Sequence, residues 1–160
     1  MNHIISVLVE NKAGVLAKVS GLFSRRGFNI ESLAVGPTDD KDISRITLLV
    51  KAEKHSIEQV TKQLYKLINV IKIQELDPGN IVERELVLIK LAADTKNRAE
   101  ILEIVNIFRA NIVDVAKKSL IIEITGNKRK IQGLEELLKP YGILELVRTG
   151  TIACTRGSKK

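Results

Sequence analysis

The sequence predicts an α+β protein made of two tandem ferredoxin-like βαββαβ units. Apolar periodicity switches repeatedly between the strand spacing of 2 and the helix spacing of 3.6, in the order β-α-β-β-α-β. That order then starts again after the turn Asp77-Pro78-Gly79-Asn80, a period of about 80 residues. Aromatic residues are only 3% of the chain and Trp is absent, so a core of Ile, Leu and Val is required, which suits sheets covered by helices.

The first strand occupies 3–10 and stops at Asn11-Lys12-Ala13-Gly14. From Val15 the apolar residues Val15, Leu16, Val19, Leu22 and Phe23 fall on one helical face, and Gly27 supplies the stop. Residues 29–35 resume strand character until Gly36-Pro37. A polar loop at 38–42 then leads to a strand at 45–51, so the pair reads as a hairpin. Ser56 is the expected cap of a second helix with Ile57, Val60, Leu64 and Leu67 on its stripe, followed by a strand at 70–76.

In the second unit a strand is expected at 85–92 and a helix over 96–108 with Ile101, Leu102, Val105 and Phe108 inward. Strands at 111–115 and 119–125, a helix carrying Ile131, Leu134, Leu137 and Leu138, and a strand at 143–148 complete it. The domains are therefore expected at 4–78 and 82–157. Strand one has Ile5, Val7 and Val9 on one side but Ile4 and Leu8 on the other, so the face without helices is expected to bury against a partner.

Net charge is +7, with +2 in residues 1–80 and +5 in 81–160. Lys128-Arg129-Lys130 reads as a helix start and Lys159-Lys160 as a frayed tail. The lone Cys154 excludes an internal disulfide and suits a reducing compartment, and the longest apolar runs are far below the roughly 20 residues of a membrane span. No membrane association is expected, and no targeting segment is recognised.

Chemistry-bearing candidates are few. His3 and His55 read as surface residues, Asp39, Asp40 and Asp42 as solvated turn residues, and Cys154 as a bystander thiol. With no phosphate-cradling glycine motif, no catalytic residues and no metal site are assigned. The informative stretch runs from Glu10 to Leu16, where a strand end, a Gly turn and a helix start meet. Backbone N-H groups and the positive helix end converge there, a setting that fits an amino-acid carboxylate. Asn11 and Asn29 supply neutral amides suited to a zwitterion. The same residues also read more plainly as a tight turn at Gly14, a cap neighbour at Asn11 and a turn residue at Asn29.

A strand, then Asn-x-x-Gly-x-Leu, then a helix inside a βαββαβ unit resembles an ACT domain. The stretches 4–16 and 21–33, the loop Pro37-Thr38-Asp39-Asp40 with Ser44-Arg45, and the later Val82-Glu83-Arg84-Glu85-Leu86, Phe108-Arg109-Ala110 and Arg148-Thr149-Gly150 resemble the small, regulatory subunit of acetolactate synthase (acetohydroxyacid synthase). This resemblance covers nearly the whole chain. It implies an N-terminal ACT domain, an ACT-like C-terminal domain and no catalysis by the chain itself. It further implies activation of a separate catalytic subunit and feedback inhibition by valine in branched-chain amino-acid biosynthesis.

The implied valine site falls on Asn11, Gly14 and Asn29, with Ala13, Val15 and Ile30 beside them, at an interface between two first units of a homodimer. Thiamine diphosphate, magnesium and FAD are expected in the catalytic partner and no cofactor in this chain. The compartment implied is the bacterial cytoplasm, or the plastid stroma if organelle-encoded. The alternative is an ACT-type amino-acid-sensing regulator of another enzyme or of transcription. Against a nucleic-acid partner stand the lack of a helix-turn-helix and of interleaved aromatics on the strands.

Overall fold

The computed structural model describes residues 1–157, and the expected frayed tail at Lys159-Lys160 lies outside the described residues. It divides into two units, Met1–Val82 with the residues from Thr151, and Glu83–Gly150.

In the first unit, β1 (Asn2–Glu10) leads into α1 (Val15–Arg25), and β2 (Ile30–Pro37) and β3 (Ile43–Lys51) form the hairpin. Then come α2 (Lys54–Leu64) and β4 (Val70–Leu76). The strands make one antiparallel sheet in the order β2-β3-β1-β4. Ile5, Val7 and Val9 alternate onto the face that also carries Ile46, Leu48 and Val50, where α1 supplies Val15, Val19 and Phe23 and α2 supplies Ile57, Val60 and Leu64. Burying each such side chain contributes about 1.5 to 3 kcal/mol.

Two expectations fail here. Ser56 does not cap α2: the helix begins two residues earlier, and the Ser56 N-H is already bonded to the Glu53 carbonyl, 3.1 Å away, inside the first turn. His3 is buried rather than superficial, with Nδ1 on the Glu75 carboxylate and Nε2 3.1 Å from the Ala52 carbonyl oxygen.

The helix-free face of this sheet is covered in part by the chain itself. Ile4 and Leu76 pack with Ile81 and Ala153. The cover comes from a short strand that the sequence reading did not foresee, β9 (Ile152–Thr155). The Thr151 N-H donates to Ser32 Oγ at 2.7 Å, Gln74 Nε2 reaches Thr155 Oγ1 at 3.4 Å, and Arg156 bonds the carbonyls of Asn80 and Ile81. By these contacts the residues from Thr151 group with the first unit.

The second unit repeats the order with β5 (Ile81–Ala92, which carries the boundary between units), α3 (Arg98–Ile107), β6 (Asn111–Val115), β7 (Ser119–Gly126), α4 (Lys128–Leu138) and β8 (Ile143–Arg148). Its strand order is β6-β7-β5-β8, with β9 also pairing with β5. Ile101 and Val105 of α3 and Ile131, Leu134 and Leu138 of α4 cover Val87, Ile89, Leu91, Leu120, Ile122 and Ile124. Leu102 and Leu137, expected inward, are exposed. Each lies one residue, about 100° of helical rotation, from a buried neighbour, Ile101 or Leu138.

Candidate functional site

The turn between β1 and α1 is built by backbone conformation. Gly14 holds φ +82° and ψ −9°, the left-handed region, and it precedes α1 without any side-chain cap. A Cβ at Gly14 would meet nothing within 4 Å, so the surface in front of the turn is open. The first intrahelical bond runs from the Lys18 N-H to the Gly14 carbonyl at 3.1 Å, and the Val15 N-H has only a long contact of 3.4 Å to the Lys12 carbonyl. N-H groups of the first turn therefore point outward at the positive end of the helix dipole.

Asn11 is fixed by the β2-β3 loop. Its backbone N-H donates to the Asp42 carbonyl at 2.8 Å and its side-chain Nδ2 donates to the Lys41 carbonyl at 2.9 Å. One N-H of the amide is thus used, and the amide oxygen is the group that can accept from an ammonium. Beside it, Glu10 accepts from Lys12 Nζ at 2.8 Å and from Asn69 Nδ2 at 3.0 Å. The Lys12 hydrogen bond, then that of Asn69, holds the Glu10 carboxyl below the ordinary carboxylate range, and Glu10 in turn holds the Lys12 ammonium above its usual value. Lys18 Nζ lies 3.4 Å from Asn69 Oδ1, so two ammonium groups flank the turn.

Ala13 and Gly14 are exposed, while the Val15 side chain is buried under the turn. Asn29 is exposed and Ile30 is half-buried against the core. The structure does not bring these two groups of residues together within one chain. Strand register places Glu10 opposite Ile43 and Ile30 opposite Val50, so Asn11 and Asn29 lie at opposite ends of the sheet. Seven residues of β3 separate those ends, roughly 24 Å at strand rise.

Sequence reasoning missed the loop carbonyls of Lys41 and Asp42 and the side chain of Asn69. The antiparallel pairing of strands one and three was the signal available, since it sets the hairpin loop beside residue 11. Among the described residues, no group of three or more His, Cys, Asp or Glu stands together as a metal site, and no helix is long and apolar enough to cross a membrane.

The molecule is thus a tandem ferredoxin-like α+β protein whose first unit opens its first helix at a left-handed glycine with open space in front of it. Residues 5–72 match the family model described as the AHAS small subunit-like ACT domain, and residues 84–157 match that of the small subunit of acetolactate synthase. The chain is 55% identical to the acetolactate synthase small subunit of Mycobacterium bovis over 98% of its length and 94% of the relative's. It is also 55% identical to the probable acetolactate synthase small subunit of Archaeoglobus fulgidus, with both chains fully covered. The crystal structure of the acetolactate synthase small subunit from Thermotoga maritima superposes with a TM-score of 0.92 at 43% identity, covering 99% of each chain. The chain belongs to the family of acetolactate synthase small subunits. That membership supports a regulatory-subunit role.

Proposed function

We propose that this chain activates a thiamine-diphosphate-dependent acetolactate synthase catalytic subunit and makes it sensitive to feedback inhibition by valine. The observation that carries the reading is the open α1 terminus at Gly14, within the segment matched to the small-subunit ACT domain. Valine's carboxylate would accept from the N-H groups around Gly14 and Val15, with Ala13 lining the turn, and its ammonium would meet the Asn11 amide oxygen. Thiamine diphosphate, magnesium and FAD belong, in this proposal, to the catalytic subunit.

The separation of Asn11 from Asn29 favours a site between two copies. In a homodimer that pairs β2 edges antiparallel about a two-fold axis, Ile30 of one copy faces the Pro37 end of the other. Pro37 pairs with Ser44, at the same end of the sheet as Asn11. Asn29 and Ile30 of a second copy would then complete the half-site that begins at Asn11.

Calorimetric titration of valine, with and without the catalytic subunit, tests the proposal. Binding at the isolated chain is expected, and the catalytic subunit should shift valine affinity by a coupling factor that valine reciprocally imposes on subunit affinity. Asn11→Ala and Asn29→Ala should each weaken valine tenfold or more, from the loss of about 1.5 to 3 kcal/mol in a hydrogen bond to a charged group, while activation persists. Absence of valine binding to the chain and to the assembled complex would refute the reading.

A further inference from the structure

We infer that the β4 edge of the first sheet is a latent strand-addition surface for a second copy of this chain, held shut by the hydroxyl of Tyr65. β4 is one of the two edges of that sheet. Its sequence, Val70-Ile71-Lys72-Ile73-Gln74-Glu75-Leu76, contains neither Pro nor Gly and is rich in β-branched residues. Ile71 is half-exposed, and Ile68, just before the strand, is 90% exposed. An edge of this composition, with unpaired backbone groups and apolar neighbours, templates pairing with another chain unless something blocks it.

Tyr65 supplies the block. It follows the last residue of α2, and its hydroxyl accepts from the Ile73 N-H at 3.2 Å while donating to the Ile73 carbonyl at 3.1 Å. Ile73 stands opposite Val7 in the register with β1. Because both its backbone groups are turned outward, that pair is of the non-hydrogen-bonded kind, and the outward groups are those an added strand would use. A phenol hydroxyl can donate and accept at once, so one atom satisfies the N-H and the C=O at the middle of the edge. The Ile73 side chain meanwhile stays buried in the core, which fixes the register that presents these groups.

A sheet with two open edges can add copies without limit, whereas one with a single open edge closes as a pair. Tyr65 would therefore set the assembly size whichever ligand or catalytic partner the chain serves.

The test uses the full chain and its Tyr65→Phe variant, which keeps the ring and removes the hydroxyl. Amide hydrogen exchange, measured where both proteins have the parental mass, should speed up about fivefold at Ile73 over its neighbours, the worth of one hydrogen bond. Light scattering at rising concentration should show Tyr65→Phe growing beyond the parental mass, and adding Ile71→Lys, a charge on the edge, should reverse that growth. Unchanged exchange at Ile73, a uniform rise across the unit, an unchanged mass, or growth that Ile71→Lys fails to reverse would each overturn the inference.

Discussion

The two units share an element order, and neither first helix carries a side-chain cap, but the turns that lead into those helices differ. In the first, Gly14 opens α1 with no side-chain cap. In the second, the strand-helix junction is filled by its own residues: Asp94 Oδ1 accepts from the N-H groups of Lys96 and Asn97 at 2.8 and 3.1 Å, and Asn97 Oδ1 accepts from the Asp94 N-H at 2.9 Å. A carboxylate thus closes the turn before α3, bonding N-H groups that precede the helix, whereas under the proposed function a ligand's carboxylate meets the start of α1. Under the proposed function, one scaffold is used twice, with its strand-helix junction closed by its own residues in the second unit and left open to an outside carboxylate in the first.

The largest effect that would break this comparison comes from Gly14→Val. A β-branched residue at φ +82° strains the turn by at least about 1 to 2 kcal/mol. Because the N-H groups around it are displaced, valine binding is expected to disappear in calorimetry, and a variant that bound valine like the parent would contradict the role given to the turn. Asp94→Ala should act on the other unit alone. Loss of the two turn hydrogen bonds accepted by Asp94 should cost about 1 kcal/mol in denaturant unfolding, with valine affinity unchanged.

Both first helices end in the same motif, which gives a smaller and opposite test. In the first unit the Phe28 N-H returns to the Phe23 carbonyl and Gly27 to Ser24, with Gly27 at φ +73°. In the second, Ala110 returns to Val105 and Arg109 to Asn106, with Arg109 at φ +53°. Arg109 holds a conformation that favours glycine, so Arg109→Gly should stabilise the chain, by about 0.5 kcal/mol after the entropy glycine adds to the unfolded state. A lowered midpoint in a urea titration would contradict this.

How much of this was legible in the sequence follows from what each pattern reports. Strict alternation such as Ile5, Val7 and Val9 gave the sheets, and the i, i+3, i+4 spacing gave all four helices. Helical stripes are broad, so adjacent apolar residues such as Leu137 and Leu138 could not be sorted into exposed and buried. β9 escaped notice because a four-residue strand carries too little periodicity, and its burial against Ile4 depends on residues about 150 positions away. His3 was misplaced for the same reason, since its partners lie on β4 and just after β3. The glycine turn was readable because it is local. The opposite placement of Asn11 and Asn29 was not, since it emerges only once the strands are registered.

The central claim, that one ligand site is shared between two first units, is tested most directly by mixing Asn11→Ala and Asn29→Ala homodimers and allowing subunits to exchange. In a mixed dimer the Asn29→Ala chain contributes an intact Asn11 and the Asn11→Ala chain an intact Asn29, so one complete site forms while the other loses both residues. The mixture should regain high-affinity valine binding with a stoichiometry of about one per mixed dimer. If exchange is demonstrated and no high-affinity binding returns, the two residues do not meet across an interface, and the shared-site account is wrong.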